Sequence, residues 1–455
     1  MKYALVLGRT NKISVAELGS FFDAGMDAPL GRSNPVGRPR LGTASSLSLT
    51  EPRLGLMEVA KSGAVAYAEN LPAPPQTFLN KLGGCVEILE IFEKGIAIGA
   101  VESLILKYLI KACEGQKGKL LFAVNIVPEG KSSSLLKYLL PKLKKALKEV
   151  GVSANYMNND LKNVSAVLAV KQNLVGMKTN ISVIEEGEGR FSLGFSVAMQ
   201  DFEAYSKRDY GKPFRDARVG MLPPKLAQMM INLATHERSE CAFTTRHASM
   251  AGQPGAQRKP GLNWPQQPTL VFDPFCGTGT ILMEAMLLGN SVVGSDADAR
   301  MATGARTNLE WLRKNFKIAE GVTSEVSTKD ACHCERLQGA KRSISVVTEP
   351  HLGPPLSTFP ARAFIEQVMN ELSKLYLDFF KNLAKWLPTG SPVVFLFPVW
   401  HNGNKEKIHI SALLIDKIEA FGYIKTTFVP LKETSLFYDR PGQVVGREIV
   451  RFTKK

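Results

Sequence analysis

The chain has 455 residues, 44% hydrophobic and 22% charged, a balance that excludes a mostly disordered protein and suits a soluble globular one. Its length points to roughly three domains, and no apolar run reaches the roughly 18 residues that a membrane span needs. Lys and Arg number 57 against 42 Asp and Glu, a net charge of +15 that favours a polyanionic partner through phosphate contacts, although a merely soluble basic surface has the same composition.

The opening Lys2-Tyr3-Ala4-Leu5-Val6-Leu7 is too short an apolar run for a secretory signal and reads as a strand, so the expected location is cytoplasmic. Ser14 is placed to cap a helix through Phe22, with Glu17 at the capping-box position three residues on. Residues 29–54 are rich in Gly, Pro, Ser and Arg without periodicity and read as an insertion. Leu56 to Ala60 and Ala64 to Ala68 read as a strand pair, Pro75 to Leu82 as a short helix closed by Gly83-Gly84, and Val86 to Phe92 as a further strand. That order is the split βαβ, ferredoxin-like pattern, assigned to residues 1–98.

A second block, 99–200, starts with a helix from Val101 to Cys113 and a strand from Leu120 to Val127. Ser134 to Val150 is helical in period, with Leu135, Leu136, Leu139, Leu140, Leu143 and Leu147 on one side; Pro141 predicts a kink or break. Lys137, Lys142, Lys144, Lys145 and Lys148 fill much of the rest, as either a solvated face or a phosphate-facing one. Ser165 to Gln172 reads as a helix, and Ile181 to Glu185 with Phe191 to Ala198 as two strands.

Residues 201–222 read as a polar connector in which Arg208, Arg215 and Arg218 either bind phosphates or anchor the connector to acidic neighbours. The last domain, 223–455, opens with a helix from Pro223 to Ala234 and carries an insertion at 236–267. Strands then alternate with helices: Leu270 to Asp273, Gly279 to Leu288, Ser291 to Asp296, Ala299 to Lys314, and later the strands Ile344 to Thr348 and Val393 to Phe397. Such alternation predicts a mostly parallel, doubly wound sheet in an α/β fold. Thr426 to Pro430 and Glu448 to Phe452 are expected to close it as an antiparallel pair.

The strongest local signal is Val271-Phe272-Asp273-Pro274-Phe275-Cys276-Gly277-Thr278-Gly279-Thr280: a strand ending in an acid, a Gly-rich turn, then a helix. It lacks the Gly-Lys-Ser/Thr end of a phosphate-cradling loop, and Leu282 stands where a dinucleotide fingerprint has its third glycine. Asp296, ending the next strand, is placed to accept both hydroxyls of a ribose. Cys276 lies inside the turn, where packing outweighs a nucleophilic role, and Trp311 reads as core. Asn308 reads as helix surface or packing, and His401 sits near a strand's carboxyl end. The six cysteines show no disulfide framework; Cys332-His333-Cys334 has no second ligand pair nearby, so no metal is predicted.

Asp273-Pro274-Phe275-Cys276-Gly277-Thr278-Gly279 resembles the first motif of S-adenosylmethionine-dependent methyltransferases that modify exocyclic amines of nucleobases. The resemblance implies S-adenosylmethionine as cofactor, bound by Asp273, Phe275, Gly277, Gly279 and Asp296, with Asp330 on the adenine amine. Leu7-Gly8-Arg9-Thr10 with Ile13 to Leu18, and Leu82-Gly83-Gly84, are similar to the start of THUMP-domain RNA methyltransferases. Tyr205-Ser206-Lys207-Arg208-Asp209-Tyr210, Gly220 to Gln228, and Tyr438 to Glu448 closely resemble the branch that methylates guanosine N2 near position ten of tRNA, and its bacterial relatives. The resemblance therefore implies a ferredoxin-like domain, a THUMP domain and a Rossmann-like methyltransferase domain. It makes tRNA the partner, with Lys142, Lys145, Arg208 and Arg215 as candidate contacts and no membrane, and leaves open a small activator protein.

One motif departs. The family has Asp or Asn, then Pro-Pro, then Tyr or Phe at the end of the fourth sheet strand; here the residues are Glu349-Pro350-His351-Leu352. Glu349 and Pro350 keep the acceptors an amine needs, while Leu352 cannot stack as an aromatic does, and His351 is the candidate to stack or to accept a proton. Three readings follow: an active guanine-N2 methyltransferase, a methyltransferase for another base amine such as adenine N6, or a tRNA- and cofactor-binding protein with impaired catalysis.

Overall fold

A computed structural model describes residues 2–22, 58–60, 62–115, 118–129, 132–216, 221–235, 269–335, 344–402 and 406–455. The expected insertions at 29–54 and 236–267, together with Leu56, Arg218 and Cys241, lie outside the described residues.

The first half runs β1 Lys2–Leu7, α1 Asn11–Gly19, β2 Glu58–Val59, β3 Val65–Ala68, α2 Pro75–Leu79, β4 Cys85–Ala97, α3 Ile98–Ala112, β5 Leu120–Val127, α4 Ser132–Glu149, β6 Ala154–Tyr156, α5 Ala166–Lys171, β7 Asn180–Gly187 and β8 Arg190–Met199. These strands form one sheet in the order β2-β3-β1-β4-β8-β7-β5-β6. The expected boundary at residue 98 is therefore not a break between sheets. The 13-residue β4 pairs with β1 along one edge and with β8 along the other, so its hydrogen bonds carry the sheet straight across. On α4, Leu136, Leu139, Leu140, Leu143 and Leu147 are buried while Lys137, Lys142, Lys144, Lys145 and Lys148 are exposed, and the helix assignment continues through Pro141.

The connector holds a helix that its polarity concealed, α6 Phe202–Tyr210, capped by Asp201, whose carboxylate accepts from the Ala204 amide. The second half follows: α7 Pro224–Thr235, β9 Leu270–Asp273, α8 Thr280–Leu287, β10 Ser291–Asp296, α9 Ala299–Asn315, β11 Ser324–Thr328, β12 Ile344–Thr348, α10 Arg362–Leu383, β13 Pro392–His401, β14 Lys407–His409, α11 Ile415–Ala420, β15 Tyr423–Thr426, β16 Ser435–Tyr438 and β17 Val445–Lys454. Its sheet order is β11-β10-β9-β12-β13-β17-β15. The strands from β11 to β13 are parallel, and β17 runs antiparallel between β13 and β15. The closing strand lies at Tyr423–Thr426, before the expected Thr426 to Pro430. Strand order reverses between β9 and β12, which places a crevice at their carboxyl ends.

The halves meet where α1 packs on α7. Ile13 and Ala16 share an apolar cluster with Leu226, Met229 and Met230. Glu17 is no capping-box residue: Thr10 precedes the helix, the Ser14 hydroxyl donates to the Thr10 carbonyl at 3.0 Å, and Glu17 is fully buried. Its carboxyl accepts from the Gly83 and Gly84 amides (2.9 and 2.8 Å) and from Asn232 Nδ2 of α7 (2.7 Å). A Cβ on Gly83 would stand 2.3 Å from the Lys225 carbonyl, so glycine is what lets α7 approach this closely.

Inside the first sheet, Glu87 accepts from Asn180 Nδ2 at 3.2 Å and from the Ser196 hydroxyl. Burial pushes its carboxyl up to about 7, against the pull of those donors. Between the ordinary carboxyl range and that value the folded chain keeps a proton that the unfolded chain has released. Its contribution to stability therefore falls as pH climbs through that window. Glu87→Gln keeps the accepting oxygen and should flatten the change in urea stability between about pH 5 and about pH 8, by an amount on the order of 3 kcal/mol. Identical pH dependence in variant and wild type would remove Glu87 from this role.

Candidate cofactor and acceptor site

The crevice is built from three strand ends. Asp273, closing β9, is 1% exposed and accepts from Thr348 Oγ1 at 2.6 Å and from the Phe275 amide at 3.2 Å. Burial pushes its carboxyl up to about 7, and the negative charges of Asp296 and Glu349 add to that. Asp273 thus ties the start of the Gly-rich turn to the end of β12.

The turn itself needs its glycines. Gly277 and Gly279 have φ of +50° and +81°, in the left-handed region. A Cβ on Gly279 would press on Ala305 of α9 at 3.2 Å, whereas one on Gly277 would meet nothing within 4 Å. The space over Gly277 is open. Asp296, closing β10, accepts from the Gly277 amide and from the Asp298 amide, each at 2.9 Å, and burial raises its carboxyl. Asp330 follows β11 at the rim; its half-exposed carboxylate accepts from the Cys332 amide at 2.9 Å and faces His333 Nδ1 at 3.4 Å. The neighbouring Lys329 amide donates to the Asp296 carbonyl at 3.1 Å, which keeps Asp330 beside Asp296. The Phe275 ring packs edge-on against Phe379 of α10, with centroids 5.3 Å apart.

Glu349 follows β12 directly and is ion-paired with Arg447 of β17, Nε to Oε1 at 2.5 Å. Pro350 is buried and His351 is exposed. The Tyr376 hydroxyl of α10 donates to the His351 carbonyl at 2.5 Å and so fixes the backbone of this turn.

The connector is fastened to the glycine turn in ways the sequence reading missed. Lys212, 3% exposed, donates to Thr280 Oγ1 at 2.9 Å and to Thr278 Oγ1 at 3.2 Å; burial pulls its ammonium down to about 8. Asn308 of α9 accepts from the Phe214 amide and donates to the Phe214 and Thr278 carbonyls, at 2.8–3.0 Å, which is the packing role rather than a surface one. Arg208 is corrected as an RNA contact: it is buried, and its guanidinium grips Glu284 of α8 through two hydrogen bonds, at 2.7 and 3.3 Å. Its charge is consumed inside the protein. Arg215 stays exposed, stacked over Tyr210 at 5.3 Å, in a groove with Phe214, Asp216 and Arg300.

Lys142 and Lys145 are exposed on α4, away from the crevice, near Glu102 (3.5 Å) and Glu149 (3.9 Å) respectively. Cys276 is buried and burial raises its thiol. Trp311 packs against the core. Cys332 and Cys334 pack against α10, where Cys332 Sγ faces the Leu375 carbonyl at 3.7 Å and Asn382 Nδ2 donates to Cys334 Sγ at 3.3 Å. His401 is buried at the end of β13, 3.9 Å from Asp439.

The crevice thus lies at the switch point of the parallel sheet, floored by a glycine turn and by an acid at the end of the second strand. Residues 263–399 match the family model described as RMKL-like, methyltransferase domain. The chain is 29% identical over 211 residues to the tRNA (guanine(10)-N2)-dimethyltransferase of Methanothermobacter thermautotrophicus, covering 46% of this chain and 48% of that one. It is 27% identical over 235 residues to the protein of the same name from Methanocaldococcus jannaschii, covering 49% and 55%. The chain thus spans about half the length of the curated relatives it matches. Across its whole length it is also similar to the crystal structure of TrmN from Thermus thermophilus, at 14% identity and a TM-score of 0.48.

The corrected roles of the connector arginines are separable. Arg208→Met strands the buried Glu284 carboxylate and should cost about 3–5 kcal/mol in denaturant unfolding. Arg215→Ala should leave stability within about 0.5 kcal/mol. Equal losses from both would mean that the buried pair contributes no more than a surface arginine.

Proposed function

We propose that the chain is a cytoplasmic, S-adenosylmethionine-dependent tRNA methyltransferase that forms N2-methylguanosine. In this reading residues 1–98 are a ferredoxin-like domain, 99–200 a THUMP domain and 223–455 the catalytic domain. The strand order β2-β3-β1-β4 and the basic face of α4 support the assignment of the front half. The relatives' printed names support the substrate.

The carrying observation is the convergence of Asp273, Asp296 and Glu349 on one crevice beside an open glycine turn. The cluster is rich in negative charge, and Arg447 is the cation paired with it among the described residues. A ligand bearing a sulfonium and an ammonium fits that surplus, so the donor set suits the cofactor. Gly277 and Gly279 would lie under it, Asp296 would take its ribose hydroxyls, and Asp330 would stand at its adenine. When bound, S-adenosylmethionine supplies an electrophilic methyl group.

The chain's own residues then serve the nucleophile. The guanine amine gains a methyl group and loses a proton, so its hydrogens become acidic during attack. Glu349 and the Pro350 carbonyl are the acceptors for them, and the exposed His351 ring is the candidate stacking partner in place of the missing aromatic.

Labelled methyl transfer to unmodified total tRNA, followed by nucleoside mass spectrometry, should yield N2-methylguanosine. Asp296→Ala should weaken cofactor binding in calorimetry by about a hundredfold, the loss of two charge-assisted hydrogen bonds, and Glu349→Ala should slow transfer by about a hundredfold or more. N6-methyladenosine as the product would shift the substrate to adenine. Transfer by Glu349→Ala at the wild-type rate would remove Glu349 from the mechanism.

A further inference from the structure

Arg447 lies on β17, opposite Pro398 of β13 and Tyr438 of β16. Strand alternation sends its neighbour Glu448 to the other face, where it meets His409 and Ser411. Arg447 is left with the face on which β12 ends. It reaches past β13, the strand between, and its Nε donates to Glu349 Oε1 at 2.5 Å. The two side chains are 8% and 14% exposed. Among the described residues, no other carboxylate lies within 4 Å of the Arg447 guanidinium, and Glu349 has no second hydrogen-bond partner.

We propose that Arg447 is a positioning residue for methyl transfer: it fixes one oxygen of Glu349 and leaves the other to accept from the substrate amine. The inference deepens the methyl-transfer reading and rests on it. Its physical basis is the extra methylene. A glutamate has one more rotatable bond than the aspartate or asparagine of the related motif, so an unanchored carboxylate at the end of β12 samples more orientations. A misplacement near 1 Å costs about a hundredfold in rate. The contact is charge-assisted, which makes it stronger and shorter than a neutral hydrogen bond. The turn is then held at two points from two elements, its backbone by Tyr376 of α10 and its acid by Arg447 of β17. Arg447 touches neither substrate nor cofactor in this account; it acts through Glu349.

The test is steady-state methyl transfer to total tRNA by wild type, Arg447→Ala, Arg447→Lys, Glu349→Ala and the Glu349→Ala/Arg447→Ala double variant, with cofactor affinity measured by calorimetry. Arg447→Ala should lower kcat by about a hundredfold and leave cofactor affinity within about twofold, because the lost function is orientation of the acceptor. Added guanidinium should restore about tenfold of that loss by refilling the vacated place beside the carboxylate. In the Glu349→Ala background, Arg447→Ala should add no further loss. An unchanged kcat in Arg447→Ala, or a full additional loss in the Glu349→Ala background, overturns the positioning role. Should Arg447→Ala fail to fold, Arg447→Lys takes its place in the same cycle, with a smaller loss expected and the same lack of additivity. A wild-type protein that binds both cofactor and tRNA yet transfers no methyl overturns the methyl-transfer reading, and this role with it. An active wild type with an indifferent Arg447 overturns this role alone.

Discussion

The arrangement of the molecule depends on one buried carboxyl. Glu17 sits between the two halves with no counter-ion among the described residues, and burial pushes it up to about 7 although three donors face it. Two of those donors are backbone amides of Gly83-Gly84 and the third is the side chain of Asn232, so one group satisfies a loop of the first half and a helix of the second. Gln228 continues the seam, donating to the Asn80 carbonyl at 2.9 Å and accepting from the Tyr205 hydroxyl. Removing Glu17 would orphan buried donors on both sides, each at about 1–3 kcal/mol. The interface is therefore specified by polar geometry within an apolar surround, where area alone would allow sliding.

From that seam the connector carries the constraint to the crevice. Arg208 grips α8, Lys212 holds the two threonines that flank Gly279, and Asn308 binds both the connector and the turn. Arg208 and Lys212 land on the turn and on the helix that it begins, and Phe214 lands on α9 through Asn308. The glycine turn takes positive φ, which only its glycines adopt freely, and Asp296, Asn308 and Lys212 hold it in place.

The parallel strands were legible because burial on both faces demands apolar runs such as Leu270-Val271-Phe272 and Ile344-Ser345-Val346-Val347, each ended by a polar residue at the crevice. The turn and Asp296 were legible for the same local reason. β11 was not: Ser324-Glu325-Val326-Ser327-Thr328 is a mostly exposed edge with a single apolar residue. α10 could have been found, since Ile365, Val368, Met369, Leu372, Tyr376, Phe379, Phe380 and Leu383 keep helical spacing and are all buried. Glu17 was misread because Ser-x-x-Glu satisfies a local rule that Thr10 had already pre-empted. Arg208 with Glu284, and Glu349 with Arg447, are 76 and 98 residues apart, and no local pattern announces such pairs. Sequence periodicity reports the environment of an element, while a buried polar group's partner is settled only by how distant elements meet.

The unbroken sheet of the first half has a geometric consequence. Because β4 bonds to β1 and β8 alike, the basic helix α4 and the seam at α1 stand on one continuous sheet. A residue added to or removed from β4 would shift its register against β1 and β8 together, so the two parts of the first half cannot be altered independently there.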